Sequence, residues 1–101
     1  MKRILALDVG KKRTGVAISD PTRTIASALT TIITGDYREL AGKVKKICID
    51  QDVEMIVVGH PLLRDGSRGE KAKEIESFVE YLKYKTGLSV ALEDERYTSE
   101  E

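Results

Sequence analysis

Apolar positions change rhythm twice along this chain, from short strand-like runs to helical spacing and back. Residues 3–9 and 14–19 (TGVAIS) are β-type runs joined by Gly10, Lys11, Lys12 and Arg13, a turn-forming segment that predicts an antiparallel hairpin. IASALTTII, residues 25–33, is rich in β-branched side chains and follows the loop-like SDPTRT, so a third strand completes a meander. From Asp36, a suitable N-cap, Leu40, Val44, Ile47 and Cys48 recur at helical spacing and predict an amphipathic helix to about residue 51. MIVVG, residues 55–59, is a continuous apolar run, the pattern of a parallel strand buried on both faces. Beyond the loop HPLLRDGSRG, Ser67 and Glu70 have the spacing of a capping box, and Ile75, Phe78, Val79 and Leu82 form one helical stripe. Gly87 is the expected left-handed stop, and LSVALED reads as the last strand. A meander followed by two right-handed strand–helix–strand crossovers makes the fold α/β, with a mixed five-stranded sheet in the order 3-2-1-4-5 and strand 2 antiparallel. Thr98, Ser99, Glu100 and Glu101 look like a cap and the acidic first turn of another helix. The expectation is one domain, 1–101, truncated at its C-terminus.

Composition narrows the class without naming a partner. At 41% hydrophobic and 34% charged residues the chain suits a soluble globular domain, and no apolar run approaches the roughly 20 residues of a membrane span. The start lacks an apolar core and cleavage site of signal-peptide type, so a cytoplasmic location is expected. Cys48 is the only cysteine; it cannot form an intrachain disulfide and is expected to be an inert buried thiol. Seventeen basic and 17 acidic residues cancel, which gives no global attraction to a polyanion. The charges are nevertheless polarised. Lys2, Arg3, Lys11, Lys12, Arg13 and Arg23 face only Asp8 and Asp20 in residues 1–23, whereas residues 93–101 hold five acids and one arginine.

Asp8 is the residue that most needs explaining, because it interrupts ILALDVG, a run that otherwise reads as a buried strand. An unpartnered carboxylate in an apolar environment costs several kcal/mol or takes up a proton. Beside Gly10 it suits presentation at a sheet surface to a cation or phosphate, although Asp near glycine is also ordinary turn material. A second acidic cluster, Glu93-Asp94-Glu95, ends the last strand, and in a 3-2-1-4-5 sheet the ends of strands one and five lie on the same edge. Two carboxylates there could share Mg²⁺ or Mn²⁺, hard ions that prefer oxygen ligands and assist in-line displacement at a phosphodiester.

LALDVGKKRTGVAISD, IVVGHPLLRDGSRGEKA and DERYTS resemble, in order and spacing, the three signature blocks of the YqgF/RuvX family, and the resemblance covers essentially the whole chain. It implies a ribonuclease H-like fold and a nuclease: members are described as Holliday junction resolvases and as enzymes maturing the 5′ end of pre-16S ribosomal RNA. It also implies that Asp8 and Glu95 are the catalytic and metal-binding acids. Family members carry a third acid on a C-terminal helix, and this chain departs from the family by having no residue after Glu101 to supply it.

Arg13 lies within the first block and is expected to contact substrate phosphate, as is Lys12, for which a solvated turn is an equal alternative. Arg64, Ser67 and Arg68 precede a helix whose free N–H groups suit a phosphate, and Arg96 beside Glu95 suits a phosphate or an ion pair. His60 has no second histidine and is given no catalytic role; four tyrosines and one phenylalanine are too few for a base-stacking platform. The leading expectation is therefore a Mg²⁺- or Mn²⁺-dependent nuclease acting on an rRNA precursor, as monomer or homodimer. A Holliday junction resolvase acting on branched DNA as a symmetric dimer, and a non-catalytic nucleic-acid-binding module, are the alternatives. LDVGKKRTGVAIS also resembles the first phosphate loop of actin-like and sugar-kinase ATPases, but these bind nucleotide between two such domains and 101 residues supply one.

Overall fold

A computed structural model describes residues 3–19, 27–61 and 69–94. The elements run β1 (Arg3–Val9), β2 (Arg13–Ser19), β3 (Ser27–Ile33), α1 (Tyr37–Asp50), β4 (Val53–His60), α2 (Glu70–Thr86) and β5 (Ser89–Asp94). They form a single mixed sheet in the order β3-β2-β1-β4-β5, with β2 antiparallel to both neighbours and β4 parallel to β1 and β5. Fold class and strand order are those expected. β4 is longer than the apolar run that signalled it, and SDPTRT lies, apart from Ser19, outside the described residues.

Local chemistry sets the helix ends. The Asp36 side chain accepts the Arg38 N–H at 2.9 Å and caps α1, while Gly87 at φ 71° ends α2 with its N–H on the Lys83 carbonyl. The capping-box expectation is corrected. The N-cap of α2 is Gly69, with φ −84° and ψ −173°, and no side chain caps it; Glu70 is therefore the first helical residue, not the third. Between α1 and β4 the chain turns through Asp52, a non-glycine residue at φ 54°, whose carbonyl accepts the Arg3 N–H.

Both helices pack on one face of the sheet. Leu40, Val44 and Cys48 of α1 and Ile75, Phe78, Val79 and Leu82 of α2 join Leu5, Leu7, Val9, Val16, Ile56 and Val58 in one core. Tyr37 locks the helices at one end, with its hydroxyl on Glu74 at 3.1 Å and its ring 5.2 Å from Phe78. Burial and the Glu74 carboxylate raise the Tyr37 phenol above its ordinary value. Cys48 is buried, and burial pushes its thiol up to about 11, in keeping with an inert core side chain.

β4 is buried on one face only, which corrects the expectation drawn from MIVVG. Ile56 and Val58 are fully buried, but Met55, Val57 and Gly59 are half-exposed because both helices take the same side. No helix among the described residues is long and apolar enough to cross a membrane.

Candidate active site

The carboxyl ends of β1 and β4 and the start of β2 meet at one end of the sheet, the usual location for ligands in open α/β folds. Gly10 makes the β1–β2 connection possible. Its N–H donates to the Arg13 carbonyl at 2.8 Å, and a Cβ at Gly10 would stand 2.5 Å from that same oxygen, so only glycine fits. The Thr34 N–H donates to the Lys12 carbonyl at 2.9 Å and ties the turn to the segment that leads into α1. The result is a fixed tip on which Lys11, Lys12 and Arg13 are all exposed.

Asp8 belongs to the central strand, on the face that the helices leave open. Strand alternation gives Leu7 and Val9 to the core and Asp8 to the opposite side, where it is exposed. Its neighbour across β2 is Gly15, which pairs in turn with Thr31 of β3; across β4, Leu7 pairs with Val58, and Gly59 pairs with Glu93 of β5. These small residues floor a cavity of about 390 Å³ lined by Asp8 and Glu93, with Ala6, Ala17, Ala28 and Val57 among its uncharged walls. Arg13 shares strand parity with Gly15 and Ala17 and so lies on the face that bears Asp8. Asp8 is tolerated in an apolar run because its half of the strand never enters the core.

Of the residues singled out in the sequence, the structure brings Asp8, Lys12 and Arg13 to one end of the sheet. Glu95, Arg64, Ser67, Arg68 and Arg96 lie outside the described residues. His60 shares parity with Ile56 and Val58, on the helix side, where its Nε2 is 2.7 Å from Glu76 of α2. Glu93 was visible only as part of an acidic run; the signal that separates it from its neighbours is its register with Gly59 beside Asp8. Among the described residues the open face offers oxygen donors, the Asp8 and Glu93 carboxylates and the Thr30 and Thr31 hydroxyls, which fit a hard divalent cation such as Mg²⁺ or Mn²⁺. No group of three or more potential ligands occurs among the described residues.

Residues 2–101 match the RuvX family, described as Holliday junction resolvase. The chain belongs to this family. Among curated RuvX relatives, a protein of Thermoanaerobacter pseudethanolicus is 41% identical over 99 residues, spanning 98% of this chain and 71% of that protein, and carries the name "Putative pre-16S rRNA nuclease". A protein of Lachnospira eligens with the same name is 42% identical over 102 residues, 98% of this chain and 73% of its own length. Among solved structures, Thermus thermophilus RuvC in complex with a Holliday junction substrate superimposes with a TM-score of 0.65 at 11% identity, covering 99% of this chain and 69% of RuvC. The Ppx/GppA phosphatase of Aquifex aeolicus gives 0.52 at 20% identity, over 93% of this chain and 36% of that one. Identities this low establish fold alone, and the fold is ribonuclease H-like.

Proposed function

We propose that this chain is a metal-dependent nuclease that cleaves phosphodiester bonds of structured RNA on the open face of its sheet, and that its substrate is the 5′ end of pre-16S rRNA in the cytoplasm. The observation that carries the reading is Asp8, an exposed carboxylate next to the carboxyl end of the central strand, beside a cavity and below a basic hairpin tip. Relatives near 40% identity that are named as pre-16S rRNA nucleases supply the substrate class.

In this reading Asp8 and Glu95 hold Mg²⁺ or Mn²⁺. Such an ion, when bound, activates a water and stabilises the leaving oxygen of a phosphodiester. Asp8 is held for that task by a strand anchored on both sides, so its carboxylate needs little reorganisation. Lys12 and Arg13 contact phosphates flanking the scissile bond, each adding a salt-dependent increment to affinity. Arg64, Ser67, Arg68 and Arg96 are further phosphate contacts in this reading. In the protein assayed on a precursor RNA, Asp8→Asn lowers cleavage at least about 100-fold while thermal unfolding is unchanged. Cleavage at the parental rate would overturn the reading.

The family description and the RuvC likeness favour a second substrate, a four-way DNA junction. Paired cleavage of two strands needs two active sites related by symmetry, so this reading requires a dimer. Sedimentation as a monomer, together with failure to cut a synthetic junction in Mg²⁺ or Mn²⁺, eliminates it.

A further inference from the structure

We infer that β3 is a self-association edge, through which two copies of this chain join their sheets antiparallel about a two-fold axis at Thr31. The pairing does not rest on the nuclease reading of Asp8. β3 is an outermost strand of the sheet, and no element among the described residues pairs with its far edge. Its sequence, SALTTII, contains no charged residue and no proline, the residues that ordinarily protect an edge strand from pairing. The opposite edge differs, because β5 ends in Glu93 and Asp94. On β3 the apolar side chains of Ile33 and Leu29 are 71% and 40% exposed. A bulge leaves Leu29 without a partner on β2, but from Thr30 to Ile33 the ladder is regular.

Backbone direction and side-chain pattern both select a second copy as the occupant. The Thr34 N–H donates inward to the Lys12 carbonyl, and ladder alternation then turns the N–H and C=O groups of Thr31 and Ile33 to the free edge. Antiparallel pairing of β3 with itself, centred on Thr31, sets Thr31 against Thr31 and Ile33 against Leu29 of the second copy. Both exposed apolar side chains gain an apolar partner, and no like charges meet across the strands. The contact is isologous and closes at two copies, with the acid-bearing β5 strands at the outer edges. Asp8 pairs with Gly15 and Gly15 with Thr31, so the row of residues through the axis ends on Asp8 in each copy. The two carboxylates then stand on the same face of one continuous sheet, separated by strand spacings that sum to roughly 24 Å. One strand from each copy buries little area, so the dimer is weak and concentration-dependent.

The test is sedimentation of the full chain between about 1 and about 100 µM, comparing the parent with Thr31→Lys, Thr31→Glu, an equimolar mixture of these two, and Leu92→Lys. Leu92 is an exposed apolar residue of β5 and controls for a new charge on the other edge. The parent shifts from monomer towards dimer over this range. Thr31→Lys and Thr31→Glu each raise the dimer dissociation constant about tenfold or more, because like charges meet on the axis. The mixture, in which lysine meets glutamate, recovers parental association, and Leu92→Lys changes nothing. Thr31 is exposed, so at about 1 µM both variants melt at the parental temperature and lost association is not lost folding. A parent that stays monomeric overturns the inference, as does parental association in both Thr31 variants. A mixture that does not recover overturns it by removing the two-fold axis from Thr31, and an equal loss in Leu92→Lys does so by assigning the effect to surface charge. Each of these outcomes leaves the nuclease reading of Asp8 standing.

Discussion

On the helix-covered face of the sheet, Leu5, Leu7, Val16, Ile56 and Val58 are at most 3% exposed, while the alternate positions on the other face are Ala6, Asp8, Gly15, Ala17, Val57 and Gly59. The same three strands supply both sets. One face is filled with branched side chains that remove apolar area from water at roughly 25 cal/mol per Å², and this holds the fold together. The other is kept low by alanine and glycine, so that a carboxylate can stand exposed at the centre of a sheet without a desolvation cost. Buried and open positions are thus separated by one residue step along each strand, and substitutions at adjacent positions should behave differently.

The sharpest comparison uses neighbours on β4. Ile56→Ala opens a cavity in the core and should cost about 2–5 kcal/mol in urea denaturation, whereas Val57→Ala, on the half-exposed side, should cost less than about 1.5 kcal/mol. Similar losses at the two positions would mean that the open face is covered in solution. Next in size is Gly10→Ala. A methyl 2.5 Å from the Arg13 carbonyl oxygen forces the hairpin turn to move, at about 1–3 kcal/mol, and should weaken RNA binding through Lys12 and Arg13 as well. Smaller still is the N-cap of α1: Asp36→Ala removes the acceptor of the Arg38 N–H and should cost about 1 kcal/mol with no change in metal affinity.

The core also has a pH signature. The Cys48 thiol titrates near 9.0 when unfolded and at about 11 when folded, so between those values the folded chain binds more protons than the unfolded one. Stability from this group is complete below pH 9 and declines as pH rises towards about 11, with the raised Tyr37 phenol acting in the same direction. Cys48→Ala should flatten the Cys48 part of that decline in denaturation curves taken at successive pH values. The smallest effect is predicted for Ala17→Ser on the open face, within about 0.5 kcal/mol of the parent.

Much of this architecture is written in local signals. Asp36 and Gly87 mark helix ends through side-chain capping and a left-handed backbone, both of which depend on a few adjacent residues. The capping box at Ser67 failed for an equally local reason: the spacing of serine and glutamate is only a correlate of a cap, and the extended backbone of Gly69 takes the position. MIVVG misled differently. An apolar run has the same appearance whether one or both of its faces are covered, and the covering helices come from residues 37–50 and 70–86, beyond the reach of any short window.

The order of strands and helices, the tight turn at Gly10 and the family blocks around Asp8 follow from residue chemistry at short range, and the chain alone was enough to read them. Which face the helices cover, and that Glu93 stands beside Gly59 in line with Asp8, depend on register between strands more than 30 residues apart in the chain. Register is settled by burying one complete set of alternating side chains, a collective outcome of the core that no single segment contains.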